Sequence, residues 1–304
     1  HSDMDPKVIC ELPAYPICMQ WCHTQFGVNP DIFAVGLSDG SLVIINANGR
    51  IEKTIANAHN GAVTSLCWNH DGSTLATGGE DGVVKLWSPQ GHLRAKLAQL
   101  SAPVLALAWD AASQFILCAH NDQLIKKAVG PGTKDVAFTG HTGVILCVAY
   151  SPVLDVFLSG GEDNTYKLWD SNGRCIYTSE PLDLPVTSAA FALSGQSFAV
   201  GTYDCVLLCD PKGWVSDRLL LTPNITTSRS GLGIGSVYSL SYSPDGAALA
   251  LGGALGSVAT ACVFNMRSEW EGWVSYSGAS NNVYVGQIGK DEEEVVDVGS
   301  RVTG

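Results

Sequence analysis

The stretch GGEDGVVKLW at positions 78–87 returns 82 residues later as GGEDNTYKLW at positions 160–169, with seven of ten positions identical. The register extends outward. His59, Thr77, Asp81, Trp87 and Gly91 correspond to His141, Ser159, Asp163, Trp169 and Gly173, with every internal spacing kept. Five matches in one register indicate a duplicated structural unit. Because 82 is twice 41, a unit of about 41 residues lies between the copies, and a period of about 40–45 is that of a four-stranded propeller blade.

That period sorts most of the chain. Six repeats each open with a strand ending on an aromatic residue: Trp21, Trp68, Trp109, Tyr150, Phe191 and Tyr242. In the second repeat, residues 63–68, 74–78, 82–87 and 92–97 read as four strands, with Asp71-Gly72, Asp81-Gly82 and Gln90-Gly91 marking the turns between them. Only the second and fourth repeats are complete. The first keeps Asp39 and Gly49 but has Ile45 in place of the tryptophan. The third has His120-Asn121-Asp122 at its central turn, and the fifth puts Tyr203 and Cys209 where Asp and Trp are expected. Residues 7–12 (KVICEL) read as one isolated strand before the first repeat, and 215–235 as a long irregular insertion. The expected fold is therefore an all-β propeller over residues 7–264. Residues 265–304 carry no such period; strands at 283–288 and 294–298, or loop, are the expectation there.

Composition narrows the function. Thirty-three glycines and thirteen prolines, spread evenly, suit many short strands and tight turns. The net charge of −12 repels phosphate backbones and anionic headgroups, which argues against nucleic acid or a membrane surface as main partner. Ten scattered cysteines with no C-x-x-C pair read as reduced, mostly buried thiols of a cytosolic compartment. The start, HSDMDPKVIC, has no signal-peptide pattern and no initiating Met, as expected of a fragment or processed chain. The uncharged stretch 246–264, with G-x-x-x-G at Gly252 and Gly256, raises the question of a spanning helix. Its phase with the repeats and its Gly/Ala/Ser content favour strand, turn, strand.

The chemistry of the repeated residues allows two readings. Ser, His and Asp also make a hydrolase triad, which would assign catalysis to His141, Ser159 and Asp163. A triad occurs once, however, on a strained nucleophile turn, whereas this set occurs twice in register with Thr77 replacing Ser159. The favoured reading is a structural network in which the Trp87 indole N–H donates to the Thr77 hydroxyl, which leads on to His59 and Asp81; His141, Ser159, Asp163 and Trp169 form the second copy. No catalytic residue is assigned. The seven histidines show no ligand spacing, and Gly231-x-Gly233-x-Gly235 follows no predicted strand, so no metal, cofactor or small-molecule substrate is expected. Asn224-Ile225-Thr226 is a glycosylation sequon left idle in the cytosol, and the acidic run 291–294 reads as a solvated tail. Lys126 and Lys127 read as a solvated edge or as a contact for an acidic partner.

The His, Ser/Thr, Asp and Trp arrangement resembles the WD-repeat family. Within that family, residues 76–99, 160–174 and 198–214 are similar to the first propeller of a subunit of intraflagellar transport complex B, over about residues 8–264. The resemblance implies a non-enzymatic scaffold, held by other complex B subunits in the cytoplasm and cilium. It also implies a further blade before His1, making this chain a fragment of a seven-bladed ring; six blades closed by residues 7–12 as the outer strand are the alternative. A generic WD-repeat adaptor, such as a ubiquitin-ligase substrate receptor or a vesicle-coat subunit, is the competing functional reading.

Overall fold

The structure, a computed structural model, describes residues 10–22, 32–130, 134–221, 234–254, 258–262, 266–270, 273–277, 282–287 and 293–297, with side chains as far as Ala261. Among these residues there is no helix. The chain divides into two compact units, residues 1–186 and 187–304.

In the first unit, runs of β-branched and aromatic residues between Asp/Asn/Gly turns form four antiparallel meanders. The first sheet is β1 (Pro16–Trp21), β2 (Ile32–Leu37), β3 (Leu42–Asn46) and β4 (Ile51–Ile55). The second is β5 (Val63–Trp68), β6 (Leu75–Gly79), β7 (Val83–Trp87) and β8 (Leu93–Gln99). The third is β9 (Val104–Trp109), β10 (Phe115–His120), β11 (Gln123–Ala128) and β12 (Val136–Phe138). The fourth is β13 (Ile145–Ser151), β14 (Val156–Gly161), β15 (Tyr166–Asp170) and β16 (Cys175–Thr178). In the second unit, β17 (Ser188–Phe191), β18 (Phe198–Gly201), β19 (Cys205–Cys209) and β20 (Val215–Leu220) form one sheet. β21 (Val237–Tyr242), β22 (Ala248–Gly253) and β23 (Val258–Cys262) form a three-stranded one, and β24 (Met266–Trp270), β25 (Trp273–Ser277), β26 (Asn282–Gln287) and β27 (Glu293–Asp297) another of four strands.

Burial follows strand position. β2, β6 and β18 are buried at every residue, whereas β4, β16 and β20 are mostly exposed. The middle strands are thus covered on both faces by apolar layers. Ile32, Ala34, Leu42 and Ile44 of the first sheet pack with Leu66, Trp68, Leu75 and Trp87 of the second. Ala76, Val84 and Leu86 of the second meet Leu107, Trp109 and Ile116 of the third, and Leu117, Leu124 and Phe138 of the third meet Ile145, Phe157 and Trp169 of the fourth. Each fully buried aliphatic or aromatic side chain contributes about 1.5–3 kcal/mol. In the second unit, Ala199, Val206 and Leu208 pack with Val237, Leu249 and Leu251.

Polar bonds fix the sheets against one another. The aromatics that close β5 and β9 donate to the preceding sheet: Trp68 Nε1–H to Gln20 O at 3.3 Å and Trp109 Nε1–H to Cys67 O at 2.9 Å. At the opposite end, each loop entering a sheet bonds to the central turn of the sheet before it: His59 N–H to Gly40 O at 3.0 Å, Leu100 N–H to Gly82 O at 2.8 Å and Ile145 N–H to Asn121 O at 2.8 Å. That contact leaves no room for a side chain. A Cβ at Gly40 or Gly82, both at positive φ, would sit 2.3 Å from His59 O or 2.6 Å from Leu100 O.

Two expectations change and a third is met. Of the strand expected at 7–12, residues 7–9 lie outside the described residues; Cys10 and Leu12 are loop, packed with Ala14 against the face of the first sheet that carries Phe33 and Val35. The insertion expected at 215–235 begins as β20, because Val215–Leu220 still finds a partner in β19; residues 222–233 lie outside the described residues. The stretch 246–264 forms β22 and β23, with 255–257 and 263–264 outside the description, and no helix among the described residues is long and apolar enough to cross a membrane.

The close approach of the segment after β16 to β14 predicts a specific weakness. A Cβ at Gly160 would lie 2.1 Å from Val186 Cγ1. Gly160→Ala is therefore expected to lower stability by about 1–3 kcal/mol through overpacking, read as a reduced urea midpoint; an unchanged midpoint refutes the close-approach argument.

Candidate functional site

In the second sheet, β6 places Thr77 and β7 places Trp87 side by side, the turn between them holds Asp81, and the loop entering β5 brings His59 down from above. Trp87 Nε1–H donates to Thr77 Oγ1 at 2.8 Å, Thr77 Oγ1 lies 2.8 Å from His59 Nε2, and His59 Nδ1 lies 3.0 Å from Asp81 Oδ1. The fourth sheet repeats this with Trp169 to Ser159 at 2.8 Å, Ser159 to His141 at 2.7 Å and His141 to Asp163 at 2.8 Å. An indole N–H only donates, so the hydroxyl oxygen accepts it and donates its own O–H in a hydrogen bond to Nε2. The imidazole then carries its proton on Nδ1 and donates to the carboxylate. The aspartates do more than hold the ring: Asp81 also accepts the Asn60 and Val83 amides, and Asp163 the Thr142 and Thr165 amides.

Electrostatics agree with that tautomer. Burial pushes both imidazoles below the ordinary histidine range, against the pull of their aspartates, so both are neutral. Burial also works to raise Asp81 and Asp163, but the amide and imidazole donors outweigh it and hold both carboxylates below their ordinary range. Ser159 and Thr77 are 0% exposed. The hydroxyl that a triad would use as nucleophile is thus closed to any substrate, and its oxygen is occupied by the Trp169 N–H.

The remaining sheets of the repeats lack the hydroxyl and the indole together. Strand register puts Val35 opposite Val43 and Phe33 opposite Ile45 in the first sheet, where the second has Thr77 opposite Lys85 and Leu75 opposite Trp87. Val200 and Cys209 hold the two places in the fifth, Cys118 and Lys127 in the third. Tyr203 does not take the aspartate's role in the fifth sheet. The next residue, Asp204, does the bonding, accepting the Gly235 amide at 2.6 Å.

Lys126 and Lys127 separate sharply. The central turn of the third sheet is Asn121-Asp122, one residue shorter than 80–82 in the second, which moves β11 by one position and exchanges its faces. Lys126 is consequently buried at 7% exposure, its ammonium 4.3 Å from the Phe115 ring centroid and donating to Ser171 O at 2.9 Å. Lys127 lies nearer solvent and pairs with Asp135 at 2.7 Å. Of the two, only Lys127 is placed to meet a partner. Thiols at Cys18, Cys118 and Cys147 are pushed up to about 12 by burial, which keeps them inert. Among the described residues no group of three or more His, Cys, Asp or Glu side chains is arranged to hold a metal ion.

Two outcomes follow from the quartets. Asp163→Ala orphans the His141 ring and the Thr142 amide and is expected to cost about 1–3 kcal/mol; equal stability of the variant and the parent in urea would remove the bracing role. Because His59 and His141 are depressed in the fold, unfolded chains bind protons first as pH falls. Stability should be complete above about 6.5, the unfolded histidine value, and decline below it, with a further decline below about 4 as the depressed aspartates titrate. A urea midpoint that is flat or rising from pH 7.5 to 5 contradicts this.

Comparison with known proteins agrees with the repeat geometry. The WD domain, G-beta repeat family matches residues 50–88 and 132–170, each match ending one residue past the quartet's indole. The chain is 36% identical over 98% of its length to the intraflagellar transport protein 80 homologs of Mus musculus and Rattus norvegicus, and covers 38% of each. It is 28% identical over 80% of its length to echinoderm microtubule-associated protein-like 2 of Homo sapiens, covering 35% of that protein. The chain thus spans well under half the length of these relatives. Repeat period, four-stranded sheets, two bonded quartets and the matched stretches together show that the chain carries WD repeats.

Proposed function

We infer that the chain is part of a non-enzymatic scaffold subunit of the intraflagellar transport machinery, acting in complex B, with other complex B subunits as partners in the cytoplasm and cilium. The observation that carries this reading is the 36% identity over 98% of the chain to intraflagellar transport protein 80 homologs. The geometry supports it in a second way. The reactive-looking side chains of both quartets are spent on one another inside the sheets, so the surface that remains offers loops and strand edges for holding proteins.

The test is affinity capture of the tagged protein that carries this chain from ciliated cells, followed by mass spectrometry. Co-purification of intraflagellar transport subunits is expected. Recovery of cullin adaptors or vesicle-coat subunits without any transport subunit would replace this reading with that of a generic adaptor.

A further inference from the structure

The two ends of the sheets in the first unit differ in charge. At the quartet end lie the central turns 38–41, 80–82, 121–122 and 162–165 and the loops 56–62, 100–103, 139–144 and 179–186, none of which contains a lysine or arginine. They carry Asp39, Glu80, Glu162, Glu180 and Asp183, all exposed, and the half-buried Asp122, besides the quartet aspartates. The ammonium groups of Lys85 and Lys167, rising from β7 and β15, are tied to the Ala58 carbonyl and the Thr178 hydroxyl. At the other end, Arg50, Lys134 and Arg174 stand among Asp71, Asp110, Asp135, Asp155 and Asp170, a smaller excess of acid. The asymmetry belongs to one face and is not simply the net charge of −12.

A second observation points the same way. His120 is 4% exposed, and neither ring nitrogen has a hydrogen-bond partner. Val104 faces His120 across β9 and β10 as Val63 faces Gly79 across β5 and β6, so His120 stands at the Gly79 position. A Cβ at Gly79 is directed at the His59 ring and Asp81 Oδ1, 2.5 and 2.9 Å away, that is, toward the quartet end. The third sheet has no histidine in its entering loop, and the His120 Cβ takes that direction instead, two residues from Asp122, with the Asp122 and Lys127 charges both acting on the ring. A neutral imidazole with both nitrogens unused leaves one acceptor and one donor unsatisfied just beneath this face.

We propose that this acidic loop face of the first unit docks a basic, Lys/Arg-rich segment of a partner protein, with the unbonded His120 ring lying beneath it. The proposal rests on the scaffold reading and adds the chemistry of one partner. Charge complementarity selects the occupant: cations gain from the excess of carboxylates, while acidic or phosphorylated segments are repelled.

The probe is a fluorescein-labelled dodecapeptide of alternating Arg and Ser, followed by fluorescence anisotropy at low and high salt. One variant neutralises the face (Asp122→Asn, Glu162→Gln, Glu180→Gln, Asp183→Asn). A second removes the same charge elsewhere (Glu52→Gln, Asp135→Asn, Asp155→Asn, Asp217→Asn). Salt-sensitive binding that weakens about tenfold in the first and less than about threefold in the second is expected, since exposed charges act weakly one by one and only together through a screened field. In imidazole NMR spectra, the His120 signal should shift on peptide addition while those of His70 and His92, at the other end, do not. Equal weakening in both variants, no binding by the parent, or a shift of His70 without His120 overturns the proposal. Transport subunits recovered by affinity capture alongside a failed peptide assay would leave the scaffold reading intact and remove only this docking face.

Discussion

The constraint on which the structure depends is that no sheet in the first unit can exist alone. Its middle strands are buried on both faces, so each sheet exposes two apolar layers until neighbours cover them. Small sheets of four short strands have too little surface to be stable singly, and stacking face to face converts that deficit into a continuous core. The close approach shows in the glycines: Gly36 and Gly78 each face a valine of the next sheet, Val63 and Val104, and Gly160 faces Val186 in the segment that follows β16, with no space for a methyl group.

Polar groups inside such a stack are stabilising only when fully paired, and the repeats respect that condition. The hydroxyl and the indole appear together in the second and fourth sheets and are lost together elsewhere, to Val35 with Ile45 or Val200 with Cys209. Losing one partner would leave a buried donor orphaned; replacing both by apolar groups costs little. The third sheet is the exception that pays in another way, with His120 unbonded and Lys126 buried. The lysine is made tolerable by a carbonyl and an aromatic face.

Function follows from what this economy leaves outside. The quartets draw their polar atoms inward and hold entering loop and central turn in one conformation, so the loops around them become rigid supports for surface charge. The scaffold reading and the acidic docking face both depend on that rigidity, since a preorganised surface loses less entropy on binding.

Much was legible in the residues. The period of 41, the aromatic ends of the first strands at Trp21, Trp68, Trp109, Phe191 and Tyr242, and the all-β class need only local pattern, because strand alternation and turn chemistry are properties of neighbouring residues. The spacing of His59, Thr77, Asp81 and Trp87 was visible too, since repetition marks it. What only tertiary structure decided were matters of register and stacking. The Trp68 and Trp109 bonds to the preceding sheet join residues more than 40 apart with no motif to announce them. The fate of Lys126 turned on a central turn one residue shorter, which exchanges the faces of a strand while leaving its composition unchanged. Composition and spacing are written along the chain; which face a side chain occupies, and what covers it, exists only once the sheets have met.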